Sequence, residues 1–191
     1  VSNLTYEVEK IHHGTPSGID NTVVAYEKPV YFVRQQPQNR IETFGVKRPL
    51  RLLVADTGVR SSTKIAVGDV RRQWQADPDR FEALFDGCGR IAETARAAIE
   101  SGDIAHVGCL MTANQRLLEE MTVSSPELER LVAAALPAGA LGAKLSGAGR
   151  GGNMIALVKD EGMETAVHEA LLAAGAKTVL TTIIQNVKRD A

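Results

Sequence analysis

The clearest pattern in the chain is the spacing of its apolar residues, which recur every three or four positions over several stretches. This period is typical of helices that bury one face. It is strongest from Phe81 to Ile99, where Gly102 ends the pattern, and a second stretch runs from Val107 to Leu118. The helices predicted in this way span residues 65–74, 81–99, 107–118, 126–136 and 163–174. Residues 3–10 also have helix-compatible content.

Shorter runs of consecutive apolar residues predict strands at 30–33, 50–56, 154–158 and 178–185. Polar residues predict a loop at 35–40. The order of the elements predicts an α+β fold, with helices packed on one face of a small antiparallel sheet. Lys47-Arg48-Pro49 is the predicted boundary between a first portion, 1–48, and a second portion, 49–191.

Composition narrows the class of protein. The chain has 191 residues, 44% of them hydrophobic, and a net charge of −1, which suits one ordinary domain with a piece of another and argues against nucleic acid as a partner. No apolar run is long enough to cross a membrane, and no signal peptide opens the sequence. Cys88 and Cys109 are interpreted as small core residues of a reducing compartment, the cytoplasm, with a disulfide between them as the less favoured alternative.

The segment His12-His13-Gly14-Thr15-Pro16-Ser17-Gly18-Ile19-Asp20 has the composition of a turn that presents one carboxylate, that of Asp20. The apolar run from Val23 to Tyr26 is expected to anchor this turn, and Glu9 offers a second carboxylate. Two acids of this kind suit phosphoryl transfer, one holding a metal ion and one orienting a hydroxyl. An ordinary capped surface turn is the alternative, and this stretch alone slightly favours it.

A glycine-rich segment follows Lys144, and Gly147, Gly149 and Gly152 match the spacing of a dinucleotide-binding loop. That fold needs a strand before the loop and a helix after it. Here polar and alanine-rich sequence precedes the loop and a predicted strand follows, so the dinucleotide fold is rejected. Four glycines in six residues favour a backbone nest for phosphate over a tight turn, and Arg150 and Lys144 add positive charge.

Two further features leave their roles open: a hydroxyl-rich segment and the side-chain amide of Asn114. In the hydroxyl-rich segment 57–63, either Ser62 or Ser61 is predicted to cap the following helix. For Thr63, capping and substrate binding both stay open. Asn114 lies on an apolar helix stripe, where an unpaired amide is costly. Its partner is therefore either in the core or in a site, with equal weight.

Taken together, Glu9 with HHGTPSGIDN and KLSGAGRGGNMIALV resemble motifs of the GHMP kinase superfamily, and within it of the mevalonate kinases. The resemblance extends from Glu9 to the final strand. It implies a ferredoxin-like C-terminal domain, ATP and Mg²⁺, mevalonate as the small-molecule substrate, and 5-phosphomevalonate as the product.

The resemblance also implies roles for single residues. Asp20 would orient the primary hydroxyl, Glu9 would bind Mg²⁺, and His13 would be structural. Substrate contacts are implied for Thr63, Gly147 and Ala148. Nucleotide phosphate contacts are implied for Ser146, Gly149, Arg150, Gly151 and Gly152.

This sequence departs from the family in one large respect. The N-terminal lysine motif and the PxxxGLGSSA loop of mevalonate kinases do not occur in it. The chain is therefore interpreted as the C-terminal portion of a kinase, with little or no activity alone. The alternatives are another GHMP kinase, acting on phosphomevalonate or a sugar, and a non-catalytic module that binds a partner or forms a homodimer.

Overall fold

The computed structural model describes residues 19–36 and 38–186, and for Asp20 and Asn21 it describes the backbone alone. The predicted helical content at 3–10 and the turn at 12–18 lie outside these residues. The helices are α1 Ile19–Tyr26, α2 Thr63–Ala76, α3 Pro78–Ser101, α4 Ile104–Glu120, α5 Pro126–Ala135 and α6 Glu161–Ala173. The strands are β1 Val30–Val33, β2 Arg40–Thr43, β3 Leu50–Asp56, β4 Gly142–Ser146, β5 Asn153–Val158 and β6 Thr178–Ile184.

The strands form two antiparallel sheets. Strands β1 and β2 pair as a hairpin, with Val30 opposite Thr43. The larger sheet has the order β4-β5-β3-β6, so β3 and β5 are its central strands and β4 and β6 its edges. The mixed helix and antiparallel-sheet fold predicted from the sequence is confirmed, and all five predicted helices and four predicted strands are present.

Polar caps and glycine fix the helix ends where the sequence indicates. Ser125 accepts a hydrogen bond from the N–H of Leu128 at the start of α5, and Pro126 follows as the first helical residue. Gly102 ends α3 in the left-handed conformation, with φ at 80°. Ser62 occupies the N-cap position of α2, as predicted, but its side chain makes no capping hydrogen bond. The predicted position is therefore right and the predicted hydrogen bond is wrong.

The core lies mainly between one face of the larger sheet and the helices. Leu53, Ala156 and Met154 are fully buried on this face, and alternate residues of β3, β4 and β5 share it. A second, smaller cluster on the opposite face joins Leu50 and Leu157 to the end of α3 and the start of α4. No helix in the described ranges is long and apolar enough to span a membrane.

Three elements differ from the predictions. Residues 142–146, interpreted as non-strand, form β4, because pairing with β5 overrides the low strand propensity of glycine and alanine. Strand β2 begins at the end of the predicted loop 35–40 and pairs with β1. Helix α1, which covers the apolar run after Asp20, was not predicted, and its Val23, Val24 and Tyr26 are 42%, 76% and 47% exposed. The turn that this run was expected to anchor lies outside the described residues, so the anchoring stays a prediction.

The cysteine interpretation is half right. Both thiols are free, Cys88 on α3 is half-buried, and Cys109 on α4 is exposed. Cys109 is therefore not a core residue, because the buried stripe of α4 contains Val107, Gly108 and Gln115 instead. Asn114 finds its partner inside the protein: its Nδ2 donates to Sγ of Cys88 at 3.3 Å.

Candidate functional site: the glycine-rich loop

The glycine-rich loop joins the paired residues Ser146 of β4 and Asn153 of β5. Five of its six residues have positive φ: Gly147 (95°), Gly149 (82°), Arg150 (58°), Gly151 (132°) and Gly152 (72°). Side chains are disfavoured in this region of backbone conformation, so the path requires glycine at most of these positions. A strand precedes the loop, contrary to the prediction, but a strand also follows it, so the dinucleotide fold stays excluded.

One side of the loop is pressed against neighbouring backbone. A β-carbon at Gly149 would lie 1.9 Å from the carbonyl oxygen of Val123, and one at Gly151 would lie 2.6 Å from that of Val59. At Gly147 and Gly152 an added β-carbon would meet no atom within 4 Å. The loop therefore has a packed side and an open side.

The N–H groups of the loop that hydrogen-bond to the protein lie in its second half. The N–H of Arg150 donates to Val123 O, and that of Gly152 donates to Val59 O, both at 2.8 Å. Within the described ranges, the N–H groups of Gly147, Ala148 and Gly149 donate to no protein acceptor. Of these three residues, Gly147 and Gly149 have positive φ and Ala148 does not. Successive free N–H groups in such a turn form an anion-binding nest, so the first half of the loop has the geometry to bind phosphate oxygens.

The two basic side chains expected to add positive charge to the loop, those of Arg150 and Lys144, bind other groups of the protein. The guanidinium of Arg150 pairs with the carboxylate of Asp69, and its Nε donates to Thr122 O at 3.2 Å. Nζ of Lys144 donates to Leu145 O at 2.7 Å, and it lies near Cys88. Burial lowers the pKa of Lys144 and raises that of Cys88.

The segment that leads to Thr63 runs along the end of the loop. Both the N–H and the hydroxyl of Thr57 donate to Gly152 O, at 2.9 Å and 2.8 Å. Val59 accepts from Gly152, and four residues later Thr63 begins α2 with its side chain exposed. Four residues span at most about 14 Å, so Thr63 lies near the loop.

The structure does not test the acidic half of the predicted site. Glu9 and His13 lie outside the described residues, and the backbone of Asp20 is in the first turn of α1. No cluster of three or more His, Cys, Asp or Glu side chains suited to a metal ion occurs among the side chains described. Asp20 and Glu9 therefore keep their predicted roles as predictions.

Sequence reasoning missed Gln115, which positions the strand before the loop. Its side chain is buried, with 2% exposed, and Oε1 accepts from the N–H of Leu145 at 2.8 Å. Nε2 donates to Glu119 at 2.9 Å and to Ser124 at 3.3 Å. The available signal was a second amide beside Asn114 on the same helix.

A cavity of about 530 Å³ lies away from the loop, between α1, the β1–β2 hairpin and the end of β6. Its lining is mostly apolar and includes Val30, Phe44 and Ile183. None of its lining residues belongs to the glycine-rich loop or to segment 57–63. The cavity is therefore separate from the candidate site at the loop.

Known proteins share these features. The family model described as GHMP kinases C terminal matches residues 95–177. The mevalonate kinase of Aeropyrum pernix is 37% identical over 172 residues, which cover 88% of this chain and 52% of that protein. The mevalonate kinase of Thermococcus sibiricus is 35% identical over 188 residues, which cover 96% and 54%. The crystal structure of L. major mevalonate kinase in complex with R-mevalonate is 38% identical, with a TM-score of 0.85, over 91% of this chain and 54% of that one.

The fold, the glycine-rich loop and the matched family model identify residues 95–177 as a C-terminal domain of the GHMP kinase superfamily. Within this superfamily the chain is similar to the mevalonate kinases. The chain spans about half the length of the curated relatives it matches.

Proposed function

We propose that this chain is part of a kinase that transfers a phosphoryl group from ATP to the primary hydroxyl of mevalonate, giving 5-phosphomevalonate. The observation that carries the proposal is the likeness to the L. major enzyme, whose structure contains R-mevalonate. The free N–H groups of Gly147, Ala148 and Gly149 support the same chemistry, because phosphoryl transfer relies on donors aimed at phosphate oxygens.

In this proposal the loop's two halves have different tasks. Ser146 and the N–H groups of 147–149 contact the nucleotide phosphates and the transferred group, and Gly147 and Ala148 also face the substrate. Gly151 and Gly152 hold the loop against Val59, where a side chain at 151 has no room. Thr63 supplies a hydroxyl from the start of α2.

Asp20 is the proposed catalytic residue. An ordinary aspartate has a pKa of about 4, too low to remove an alcohol proton before the new bond forms. In a loose transition state the carboxylate instead accepts a hydrogen bond from the hydroxyl and keeps its oxygen in line with phosphorus, taking the proton late. Glu9 is the proposed ligand of Mg²⁺, which when bound supplies positive charge to the phosphate oxygens.

We further propose that residues 1–48 complete an N-terminal domain, that 49–191 form the C-terminal domain, and that the 191 residues alone turn over little or no substrate. The support for this is that relatives are about twice as long. The proposed location is the cytoplasm, in keeping with two free thiols.

The test compares the product of the full reading frame that encodes this chain with the 191 residues alone. ADP release is measured with mevalonate, phosphomevalonate or galactose as acceptor. We expect activity with mevalonate for the full product and at least about a hundredfold less for the 191 residues. Asp20→Asn in the full product should lower kcat by at least about a hundredfold with little change in KM for ATP.

Each alternative predicts a different result. Faster ADP release with phosphomevalonate or galactose than with mevalonate would show that the protein is another GHMP kinase, acting on that substrate. No ADP release and no heat on titration with ATP–Mg²⁺ would support a non-catalytic module or homodimer. Full turnover by the 191 residues would overturn the proposal that they are incomplete.

A further inference from the structure

Arg150 occupies a position in the glycine-rich loop that disfavours a side chain. Its φ is 58°, and its neighbours Gly149 and Gly151 also have positive φ. Non-glycine residues hold this conformation where surrounding contacts compensate for it. The contacts of Arg150 therefore indicate what its side chain does.

All described contacts of Arg150 join the loop to other parts of the protein. Its guanidinium pairs with Asp69 on α2, its Nε donates to Thr122 O at 3.2 Å, and its N–H donates to Val123 O at 2.8 Å. The pair is largely shielded from water, with 28% of the Arg150 side chain and 19% of the Asp69 side chain exposed. Shielding strengthens an ion pair and reduces its screening by salt.

Helix α2 holds the neighbouring turn as well. Nε2 of Gln73 donates to the hydroxyl of Thr122 at 2.8 Å, and Gln73 lies one helical turn after Asp69. Thr122 is itself left-handed, with φ at 61°. One face of α2 thus contacts the loop, through Arg150, and the turn beside its packed side, through Thr122, and the same helix begins with Thr63.

We propose that Asp69 and Arg150 are a positioning pair: they fix the glycine-rich loop to α2, and Arg150 is not a phosphate ligand. The charge of Arg150 is used by Asp69, whereas the free N–H groups of 147–149 lie on the other half of the loop. Four glycines make the loop backbone mobile in principle, and the pair limits that freedom before a phosphate arrives. This inference rests on the proposed function for its kinetic consequence only.

The kinetic test is a double-mutant cycle in the full product with mevalonate and ATP. If the two residues act as a pair, Asp69→Asn and Arg150→Gly should each lower kcat/KM by about tenfold, and the double variant should be no worse than either. Arg150→Gly suits the backbone and is expected to fold. Arg150→Lys should recover part of the loss, because it keeps the charge but not the bond to Thr122. Arg72→Ala is the matched control, since Arg72 pairs with Asp69 from the exposed side and should stay within about twofold.

A phosphate ligand would behave differently. Arg150→Gly would then raise KM for ATP by tenfold or more, while Asp69→Asn would leave it unchanged or lower it. If the losses in kcat/KM of the two single variants add up in the double variant, the proposal that the residues act as a pair would also be overturned.

A second test does not depend on catalysis. Trypsin cleavage after Arg150 is followed by mass spectrometry in the 191-residue chain, with cleavage after Arg90 on α3 as the internal reference for global unfolding. We expect the ratio of the two rates to rise about tenfold in Asp69→Asn and to stay at the wild-type value in Arg72→Ala. An unchanged ratio in Asp69→Asn overturns the proposal. If the ratio rises while no variant or wild type phosphorylates mevalonate, the pair stands and the proposed function fails.

Discussion

Gly142 of β4 and Gly108 of α4 are in direct backbone contact: a β-carbon on Gly142 would lie 1.9 Å from the carbonyl oxygen of Gly108. The reverse approach is nearly as close, because a β-carbon on Gly108 would lie 2.4 Å from Leu141 O. This contact lets α4 lie along the free edge of β4, where Gln115 binds the N–H of Leu145. The strand that leads into the glycine-rich loop is thereby held from the side.

Gly142→Ala is expected to lower the free energy of unfolding by roughly 3 kcal/mol or more, because the added methyl meets backbone that cannot rotate away. Urea unfolding measures the change. The control is Gly89→Ala in the exposed face of α3, where no atom lies within 4 Å of the added carbon. It should stabilise the chain by about 0.5–1 kcal/mol. Equal effects of the two substitutions would contradict the close contact.

Gln115→Leu should destabilise the chain by roughly 1–3 kcal/mol, because it leaves the buried N–H of Leu145 without an acceptor. The specific measurement is amide hydrogen exchange, which should accelerate at Leu145 more than at central strand β3. Gln75→Leu on the exposed face of α2 is the control and should change neither quantity appreciably. Unaltered exchange at Leu145 would show that Gln115 does not protect this edge.

Glu42 on β2 is predicted to attach the hairpin to α3 in a pH-dependent way. Hydrogen bonds from Arg40 and Arg96, each at 2.5 Å, lower the pKa of Glu42 from 4.5 to about 2. Because the folded state has the lower pKa, this stabilisation is complete above pH 4.5 and is lost as the pH falls towards 2. Arg96 also lies 5.0 Å from the ring centroid of Tyr31, which adds an attraction insensitive to Glu42.

Urea unfolding of wild type and Glu42→Gln between pH 7 and pH 2 tests this attachment. The stability difference should be constant at and above about pH 5.5 and should shrink towards zero near pH 2. Glu93→Gln, an exposed position on α3, should follow the wild-type curve throughout. A difference that does not change with pH would show that the Glu42 carboxylate is not the titrating group.

The two thiols should differ in reactivity. Cys109 is exposed, whereas burial raises the pKa of Cys88 and its sulfur accepts a hydrogen bond from Asn114. At pH 8 a disulfide reagent should therefore react with Cys109 at least about tenfold faster. Cys109→Ser should leave only the slow phase, and Cys88→Ser only the fast one. A single phase accounting for both thiols in wild type would contradict the burial of Cys88.

Elements with a strong period could be predicted from the sequence, and those that depend on distant partners could not. Helix α3 repeats its apolar spacing over 24 residues, so its limits follow within a few positions. Strand β4 contains Gly142, Ala143 and Lys144, which carry little strand propensity, and only its neighbours β5 and α4 make it a strand.

The candidate site divides in the same way. The four glycines indicated a phosphate nest, but which N–H groups are free depends on Val59 and Val123, far away in the chain. Arg150 was interpreted as added positive charge because no sequence pattern links it to Asp69, 81 positions earlier. The roles of Asp20 and Glu9 stay predictions.

The cover that α4 gives to β4 makes the two borders of the larger sheet unequal. At the other border, no strand in the described ranges pairs with the outer side of β6, where Leu180 is 68% exposed. A further strand, from the same chain or another, could therefore pair with the outer side of β6. It could not pair in the same way with β4, because α4 covers the outer side of that strand beside the glycine-rich loop.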